Sequence, residues 1–331
     1  VTCNAAVEQV LRNAGTQCDL ILEKLRASPK ETPEHLRATA AVSRMLEALR
    51  KVLVSGSNIV AFVTDVRGAA RLTAAPKRVN HVLATVWQDT TAILTSATIP
   101  PGMPKRLGLG VEDDAIVRVP SPFDYAKQSL LYLADDLPIP NAPDRAPRLQ
   151  ARIRELIAMS GGSALVLFTS WGVLRDTATA LSGQLGKGIK MYVQDDMPKK
   201  ALLDAFRSDT TSCLFATRGF FQGVDVPGDS LRLVIIDKVP FPAMHDPLLD
   251  ARREDAGNGA FMIIDVPMAA AALAQAAGRL IRTATDRGVV AILDPRLSQK
   301  RYKSAVLSGV EHMPETNRLV EVEDFFTKQR A

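Results

Sequence analysis

The feature that most constrains the fold is a regular alternation of apolar runs and helical patterns in the second half of the chain. The apolar runs cover residues 164–168, 189–193, 213–216, 231–236 and 289–293. Apolar residues recur at helical spacing over residues 149–159, 173–185, 199–207 and 268–282. Apolar strands that alternate with helices predict a parallel sheet covered by helices on both faces. In such α/β folds, functional residues gather in loops at the carboxyl ends of the strands.

The first part of the chain has a different pattern. Helical spacing of apolar residues covers 5–12, 19–26 and 33–53, followed by a predicted strand at 59–64 and a helix at 79–87. A second strand is predicted at 91–98, and the Pro- and Gly-rich residues 100–112 are predicted to be a loop. Residues 135–147 contain four prolines and are predicted to be a linker.

Composition places the chain among ordinary globular proteins. Its 331 residues, 47% hydrophobic and 23% charged, suggest two domains and argue against a disordered or fibrous chain. No apolar run approaches the roughly 18–20 residues of a membrane-spanning helix, so no membrane partner is expected. The cysteines (Cys3, Cys18 and Cys213) are too few for a disulfide framework or a four-ligand metal site. A cytoplasmic location and no bound metal are therefore expected.

Charge is weakly informative. The formal net charge is +5 at pH 7, and its excess lies before Ser121, where 15 Lys and Arg face 11 Asp and Glu. An excess of this size is compatible with a phosphate-backbone partner, but many soluble proteins carry a similar charge.

The strongest motif surrounds two arginines. Gln275, Gly278, Arg279 and Arg282 are spaced to share one face of a helix. Two guanidinium groups beside a glycine suit a polyphosphate that gains charge in a transition state. A solvated arginine face is the alternative interpretation.

A second motif covers residues 215–228, Phe-Ala-Thr-Arg-Gly-Phe-Phe-Gln-Gly-Val-Asp-Val-Pro-Gly. A glycine-rich loop after a strand can present backbone N–H groups to phosphates and place Asp225 near a nucleotide. The alternative is a tight loop whose glycines serve its geometry and whose phenylalanines lie in the core.

Two further segments place hydroxyl side chains at strand ends. Residues 94–98 and 167–171 contain Ser96, Thr98, Thr169 and Ser170, which could contact nucleotide or nucleic acid, and Trp171 could stack on a base. The same hydroxyls could simply cap the following segment. Asp286, Asp294 and Arg296 are predicted to form structural ion pairs. These three residues flank the last apolar run.

Two common ATPase signatures are absent from the sequence. No Gly-x-x-x-x-Gly-Lys-Ser/Thr phosphate loop occurs, and Gly183–Gly188 has the wrong spacing. No Asp-Glu pair closes an apolar strand, because Lys238 follows Asp237.

In order, these segments resemble the DinG/XPD family of ATP-dependent DNA helicases. Residues 94–98 resemble the third family motif, 164–170 the fourth, 215–228 the fifth and 275–282 the sixth, and Ser121-Pro-Phe-Asp-Tyr125 resembles the segment that enters the second motor domain. The resemblance runs from about residue 75 to residue 297. Five ordered motifs are much more specific than any single one.

The resemblance implies an architecture and a set of roles. Residues 1–57 would be a helical arch-like segment, 58–120 the end of the first RecA-like motor domain, and 121–331 the second motor domain. Arg279 and Arg282 would be arginine fingers and Gln275 a γ-phosphate contact. The remaining roles are as follows: Gly223, Asp225 and Gly278 bind nucleotide, Thr169, Ser170 and Arg218 contact single-stranded DNA, and Ser96 and Thr98 couple the motor domains.

The implied function is the carboxyl-terminal part of a helicase that couples ATP hydrolysis to translocation on single-stranded DNA. ATP and Mg²⁺ would be held with the amino-terminal half of the same polypeptide, and this chain alone is expected to be inactive as an ATPase. Gln222 stands where the family usually has Glu, and nothing here reports on an iron–sulfur cluster. A naturally short, non-catalytic nucleic-acid-binding or regulatory protein is the alternative.

Overall fold

The computed structural model describes residues 5–28, 32–53, 58–66, 68–96, 99–100, 102–112, 115–220, 228–310 and 312–328. The chain divides into two compact units. The first contains residues 1–94, 101–116 and 243–260, and the second contains 95–100, 117–242 and 261–331. Residues 243–260, which were assigned above to the second motor domain, thus group with the first unit, and the predicted domain boundaries stay predictions.

The second unit is built on one seven-stranded sheet in which every strand pair is parallel. Its strands lie in the spatial order β5-β6-β4-β7-β8-β3-β9. Their bounds are β3 Ser129–Leu133, β4 Ala164–Phe168, β5 Met191–Val193, β6 Cys213–Thr217, β7 Leu233–Ile236, β8 Gly288–Ile292 and β9 Glu315–Thr316. The α/β fold with a parallel sheet is therefore confirmed.

Alternate residues of each central strand face opposite layers of helices. In β4, Leu165 and Leu167 join one buried cluster, whereas Val166 and Phe168 join the other. The first cluster includes α8 (Lys199–Ser208), α10 (Val266–Ala277) and α12 (Lys303–Leu307). The second includes α6 (Arg145–Ser160), α7 (Trp171–Leu181) and α13 (Leu319–Thr327). Burial on both faces explains why these strands are apolar throughout rather than alternating.

Two short helices complete this unit. The helix α5 (Tyr125–Gln128) precedes β3, and α11 (Arg296–Gln299) follows β8. The strand β3 was not predicted from the alternation of apolar runs and helices. It is only five residues long and is preceded by polar residues, so it does not stand out as an apolar run.

The first unit contains helices and a β-hairpin. Helices α1 (Ala5–Ala27) and α2 (Pro33–Leu53) pack through a small core of Cys18, Leu22, Leu46 and Leu49. Strands β1 (Ile59–Val66) and β2 (Ala69–Pro76) pair antiparallel, with Val66 opposite Ala69 at the turn. The remaining helices are α3 (Asn80–Trp87), α4 (Met103–Arg106) and α9 (Pro247–Ala256).

Three local predictions were wrong. Residues 91–96 have no regular structure and are exposed, since no strand in the described part of the chain pairs with them and an extended segment needs a partner for its backbone hydrogen bonds. Residues 103–106 of the predicted loop form α4. The helix predicted over 268–282 ends at Ala277.

The linker prediction holds only in part. Residues 135–144 are irregular, but α6 begins at Arg145, inside the predicted linker. The reason is that Pro147 lies in the first turn of α6, where a missing backbone N–H costs nothing.

Gly162 provides a test of the sheet's packing. It has φ +89°, and a Cβ there would lie 2.1 Å from the carbonyl oxygen of Thr211. We expect Gly162→Ala to lower the free energy of unfolding by about 2–4 kcal/mol through left-handed strain and overpacking. Gly172→Ala is the matched control, because its Cβ would meet only Ser170 Oγ at 3.7 Å. Urea unfolding of both variants gives the comparison, and equal stabilities would contradict the close approach.

Candidate functional site

The predicted site residues lie at two opposite edges of the sheet. Thr169 and Ser170 follow β4, and Arg218 follows β6, at the carboxyl ends of parallel strands. The segment Gln275–Arg282 precedes β8 and lies at the amino ends. Strands of five residues separate these edges by about 16 Å. The expectation that all motifs gather at the carboxyl ends was therefore wrong for the arginine motif.

The arginine motif is a helix end followed by a turn. Gly278 is the C-cap of α10, and the N–H of Arg279 donates to Ala276 O at 3.2 Å. Arg282 lies beyond the helix, so the predicted single helical face does not form. Its backbone N–H donates to Asp286 Oδ2 at 2.8 Å instead.

Asp286 holds the backbone of the loop that follows α10. Its Oδ2 accepts from the Thr283 N–H at 2.8 Å, and its Oδ1 accepts from the Thr283 hydroxyl at 2.8 Å. These bonds compete successfully with continuation of the helix. Within the described residues Asp286 therefore caps a loop and does not form the ion pair that was predicted.

Gln128 ties the same loop to the sheet. Its Nε2 donates to Thr283 O at 3.0 Å and to Asp286 O at 2.9 Å, and its Oε1 accepts from the Asp124 N–H at 2.9 Å. Gln128 is buried directly before β3. The arginine turn is thus held from two directions, by Asp286, which was predicted to form an ion pair, and by Gln128, which no sequence motif indicated.

Arg279 sits in a partly buried position, and burial lowers the pKa of its guanidinium. The group remains charged, because an arginine side chain does not deprotonate in proteins. A partly desolvated cation interacts more strongly with an anion than a fully hydrated one does. Gln275 is also partly buried, one turn earlier on α10, and Gly278 between them is exposed.

At the carboxyl edge, Ser170 is the N-cap of α7. Its Oγ accepts from the Val173 N–H at 3.5 Å. The capping alternative is therefore confirmed for this hydroxyl, although a cap that accepts still has its own proton to donate. Trp171 is 38% exposed, and the Arg175 guanidinium lies 5.6 Å from its ring centroid.

Asp237, at the end of β7, holds Thr169. Its Oδ1 accepts from the Thr169 N–H at 3.0 Å and from the Lys238 N–H at 2.8 Å, and its Oδ2 accepts from the Thr169 hydroxyl at 3.2 Å. Burial raises the pKa of Asp237 to about 6, against the opposing effects of the Lys238 charge and these hydrogen bonds. In the sequence, Asp237 is distinguished only by Lys238, which stands where an Asp-Glu pair would need a glutamate.

Arg145 clamps the ends of β7 and β8. One amino group of its buried guanidinium donates to Asp237 O at 2.8 Å and to Leu293 O, and the other donates to Pro138 O at 2.8 Å. Each acceptor is a backbone carbonyl just past a strand or in the preceding loop. The clamp fixes the spacing of the loops that leave these strands.

The predicted ion pair of Asp294 and Arg296 is confirmed. Arg296 Nε lies 2.9 Å from Asp294 Oδ1 and its terminal amino group lies 2.7 Å from Oδ2, while the Val239 N–H donates to Oδ2 at 2.9 Å. Burial alone would raise the pKa of Asp294, but the hydrogen bonds and charge of Arg296 outweigh it and the pKa is lowered.

The glycine-rich motif is only partly described. Residues 218–220 form a short 3₁₀ turn, and the preceding Thr217 donates its N–H to Gln194 Oε1 at 2.7 Å. Lys199 Nζ donates to Gly219 O at 3.2 Å. Gln222, Gly223, Asp225 and the side chain of Arg218 lie outside the described residues, as does Thr98. Ser96 is described and lies in the exposed irregular segment.

Neither a metal-binding cluster nor a membrane-spanning helix occurs among the described residues. No group of three or more His, Cys, Asp or Glu side chains there could hold a metal ion. No helix among them is long and apolar enough to cross a membrane.

Comparison with known proteins identifies the class of domain. Residues 153–313 match the family model of the helicase C-terminal domain. A solved XPD helicase superposes with a TM-score of 0.58 over 93% of this chain and 64% of its own, at 17% identity, and so shares its fold.

Relatives found by sequence similarity are helicases of a narrower group. The ATP-dependent helicase DinG of Mycobacterium tuberculosis is 37% identical over 295 residues, or 85% of this chain and 44% of the relative. The ATP-dependent DNA helicase YoaA of Escherichia coli is 40% identical over 211 residues, or 63% and 33%. The chain thus spans less than half the length of these two relatives. The predicted resemblance to the DinG/XPD helicases is confirmed, and this chain is similar to their carboxyl-terminal part.

The raised pKa of Asp237 predicts a pH-dependent stability. A carboxyl group whose folded pKa is about 6 and whose ordinary value is 3.8 stabilises the fold below pH 3.8 and loses that contribution as the pH rises through 6. The ionised group costs about 3 kcal/mol at pH 7. Asp237→Asn removes the charge, can keep the two backbone hydrogen bonds at Oδ1, and can replace the third by donating from Nδ2 to the Thr169 hydroxyl oxygen.

We therefore expect Asp237→Asn to gain stability relative to wild type as the pH rises from 4.5 to about 7. Urea unfolding at several pH values in this range measures the difference. The surface variant Asp176→Asn is the control and should show no such trend. If the difference in the free energy of unfolding between Asp237→Asn and wild type did not change with pH, it would contradict the conclusion that Asp237 is buried with a raised pKa.

Proposed function

We propose that this chain is the carboxyl-terminal part of a DinG-like helicase that couples ATP hydrolysis to movement along single-stranded DNA. The observation that carries the proposal is that two groups of residues lie at opposite edges of one sheet. One is the hydrogen-bonded turn that contains the two arginines, and the other is the set of polar loops proposed to bind DNA. The relatives from Mycobacterium tuberculosis and Escherichia coli bear the names of ATP-dependent helicases. Their names support the same activity for the complete protein.

The arginine turn is suited to a nucleoside triphosphate. Arg279 and Arg282 place two guanidinium groups on a loop that Asp286 and Gln128 prevent from rearranging. Preorganised cations stabilise the charge that develops on a transferring phosphoryl group without reorganising during the reaction. We assign Arg279 and Arg282 as arginine fingers and Gln275 as a γ-phosphate contact, with Gly278 leaving room for close approach.

ATP with Mg²⁺, when bound, would supply the phosphoanhydride whose hydrolysis drives movement. The donor set here fits only one side of such a ligand, because two guanidinium groups can bind phosphate oxygens but the sequence has no phosphate loop. Gly223 and Asp225 are assigned to line the same cleft. The phosphate loop and the Mg²⁺ ligands are assigned to the amino-terminal half of the polypeptide.

The carboxyl edge is suited to a DNA backbone. Thr169 donates its hydroxyl proton to Asp237, so it is a poor donor to a phosphate while Asp237 is ionised. Ser170 accepts at Oγ from the helix backbone, and its proton has no acceptor among the described residues. We therefore assign the direct phosphate contact to Ser170 at the helix N-terminus, with Arg218 beside it and Thr169 as its support.

The sheet between the two edges provides the mechanical connection. Its strands are buried on both faces, and Arg145 and Gln128 lock the loops at either end. Displacement of the arginine turn by a change in bound phosphate would then move the DNA edge with it. Ser96 and Thr98 are assigned to couple this movement to the first motor domain.

A direct test compares this 331-residue chain with the protein encoded by the complete reading frame. We expect single-stranded-DNA-stimulated ATP hydrolysis only from the complete protein, measured by phosphate release. Hydrolysis by the 331-residue chain would contradict the assignment of the phosphate site to the other half. DNA binding without hydrolysis in both proteins would instead favour a non-catalytic binding protein.

Arg279→Ala in the complete protein tests the finger assignment. Loss of an arginine finger lowers the rate of phosphoryl transfer by about 10³–10⁵-fold, whereas affinity for single-stranded DNA should change little. The control is Arg287→Ala, which removes an exposed arginine from the same edge. Wild-type turnover by Arg279→Ala, or equal losses in both variants, would contradict the assignment.

A further inference from the structure

Three aromatic side chains meet at the carboxyl edge of the second unit, from three separate segments. Phe241 follows β7, Phe261 precedes α10, and Tyr302 follows α11. The ring centroids are 5.2 Å apart for Phe241 and Phe261, 5.4 Å for Phe261 and Tyr302, and 5.6 Å for Phe241 and Tyr302. The Arg296 guanidinium lies 5.7 Å from the Phe241 centroid. We call these three residues the aromatic cluster.

The aromatic cluster is not a closed core. Phe261 is 40% exposed, and its neighbours Met262 and Ile263 are 50% and 65% exposed. The segment Phe261–Asp265 is a π-helical turn, a geometry that is uncommon and is frequent at functional sites. Tyr302 and Phe241 support Phe261 from behind, and burial raises the pKa of Tyr302. One aromatic ring is therefore held rigidly at the surface.

Two cationic residues precede Tyr302 of the aromatic cluster in the chain. Lys300 and Arg301 precede Tyr302, are exposed, and form no ion pair among the described residues. The neighbouring Lys303 pairs with Glu315, and Arg296 pairs with Asp294. Two exposed positive charges therefore directly precede a residue of the aromatic cluster, and single-strand-binding proteins combine such cations with aromatic rings to bind phosphates and bases.

The position of the aromatic cluster connects it to the proposed DNA edge. Strands β6, β4, β7 and β8 are consecutive neighbours in the sheet. Arg218, Ser170 and Phe241 follow the first three, and Tyr302 follows the fourth, so all lie along the same edge. Neighbouring strands are about 4.8 Å apart, so the carboxyl ends of these four strands span about 15 Å.

We propose that Phe261 is a stacking platform for a base of single-stranded DNA, and that Lys300 and Arg301 bind the adjacent phosphates. This inference rests on the proposed function. It extends the DNA-binding surface beyond the residues of the helicase motifs to the loops that follow β7 and β8. Because every base has an aromatic face, the site tolerates any sequence.

The test uses the complete protein and two fluorescent oligonucleotides of equal length, one of thymidines and one with an abasic sugar at every position. Phe261→Ala should weaken binding to the oligothymidine by roughly 5- to 100-fold, measured by anisotropy, since that is the loss expected for one stacked base. It should leave binding to the abasic strand unchanged. Phe261→Trp should restore affinity for the oligothymidine.

Phe325→Ala is the matched control. Phe325 is also partly buried and contacts another ring, Phe326, but it lies on α13 within the opposite core. It should alter thermal stability without altering affinity for either strand. Arg301→Gln should leave base dependence intact and reduce the slope of log affinity against log salt by about 0.7.

Each outcome has a distinct meaning. Oligothymidine binding by Phe261→Ala at the wild-type level would overturn the stacking site and leave the helicase function standing. An equal loss on both strands would also overturn it, because it would show a structural effect or a protein-covered surface. Failure of the wild-type protein to bind either strand would reject the proposed function itself. Loss on the oligothymidine alone, restored by Trp, would establish the site.

Discussion

Burial of both faces of the parallel sheet is the constraint on which the rest of the structure depends. Leu165 and Leu167 face one layer of helices and Val166 and Phe168 the other, so the strands have no surface left for polar side chains. Chemistry can therefore occur only at the two edges, where strands become loops. The arginine turn takes the amino edge, and the hydroxyl and aromatic side chains take the carboxyl edge.

The carboxyl edge is stabilised by a buried polar network, and such a network is useful only when its members are satisfied. Asp237 accepts three hydrogen bonds, and Arg145 donates to three backbone carbonyls. Removing one partner would leave a buried group without compensation, which costs far more than an exposed ion pair contributes. The network spans the ends of β4, β7 and β8, so these loops keep a fixed spacing and a DNA strand would meet a preorganised surface.

The hydrogen bonds at the amino edge hold a loop and not the ends of strands. The Asp286 carboxylate accepts from the backbone N–H groups of Arg282 and Thr283 and so holds the loop that contains Arg282. α10 ends at Ala277, although the helical pattern in the sequence continues to Arg282, whose backbone N–H donates to Asp286 and not within the helix. Helical periodicity in a sequence reports which side chains could share a face, but a competing cap decides where the helix ends.

The layered α/β fold could be predicted from the amino-acid sequence, because strand and helix periods are local and alternate over 130 residues. The order of the motifs can also be read along the chain, and it was sufficient for the resemblance to DinG-like helicases. Which side chains meet could not be predicted, because it depends on the tertiary structure. Thr169 and Asp237 are 68 positions apart, and Phe241 and Tyr302 come from loops after different strands. No local pattern links them, because the order of parallel strands in space differs from their order along the chain.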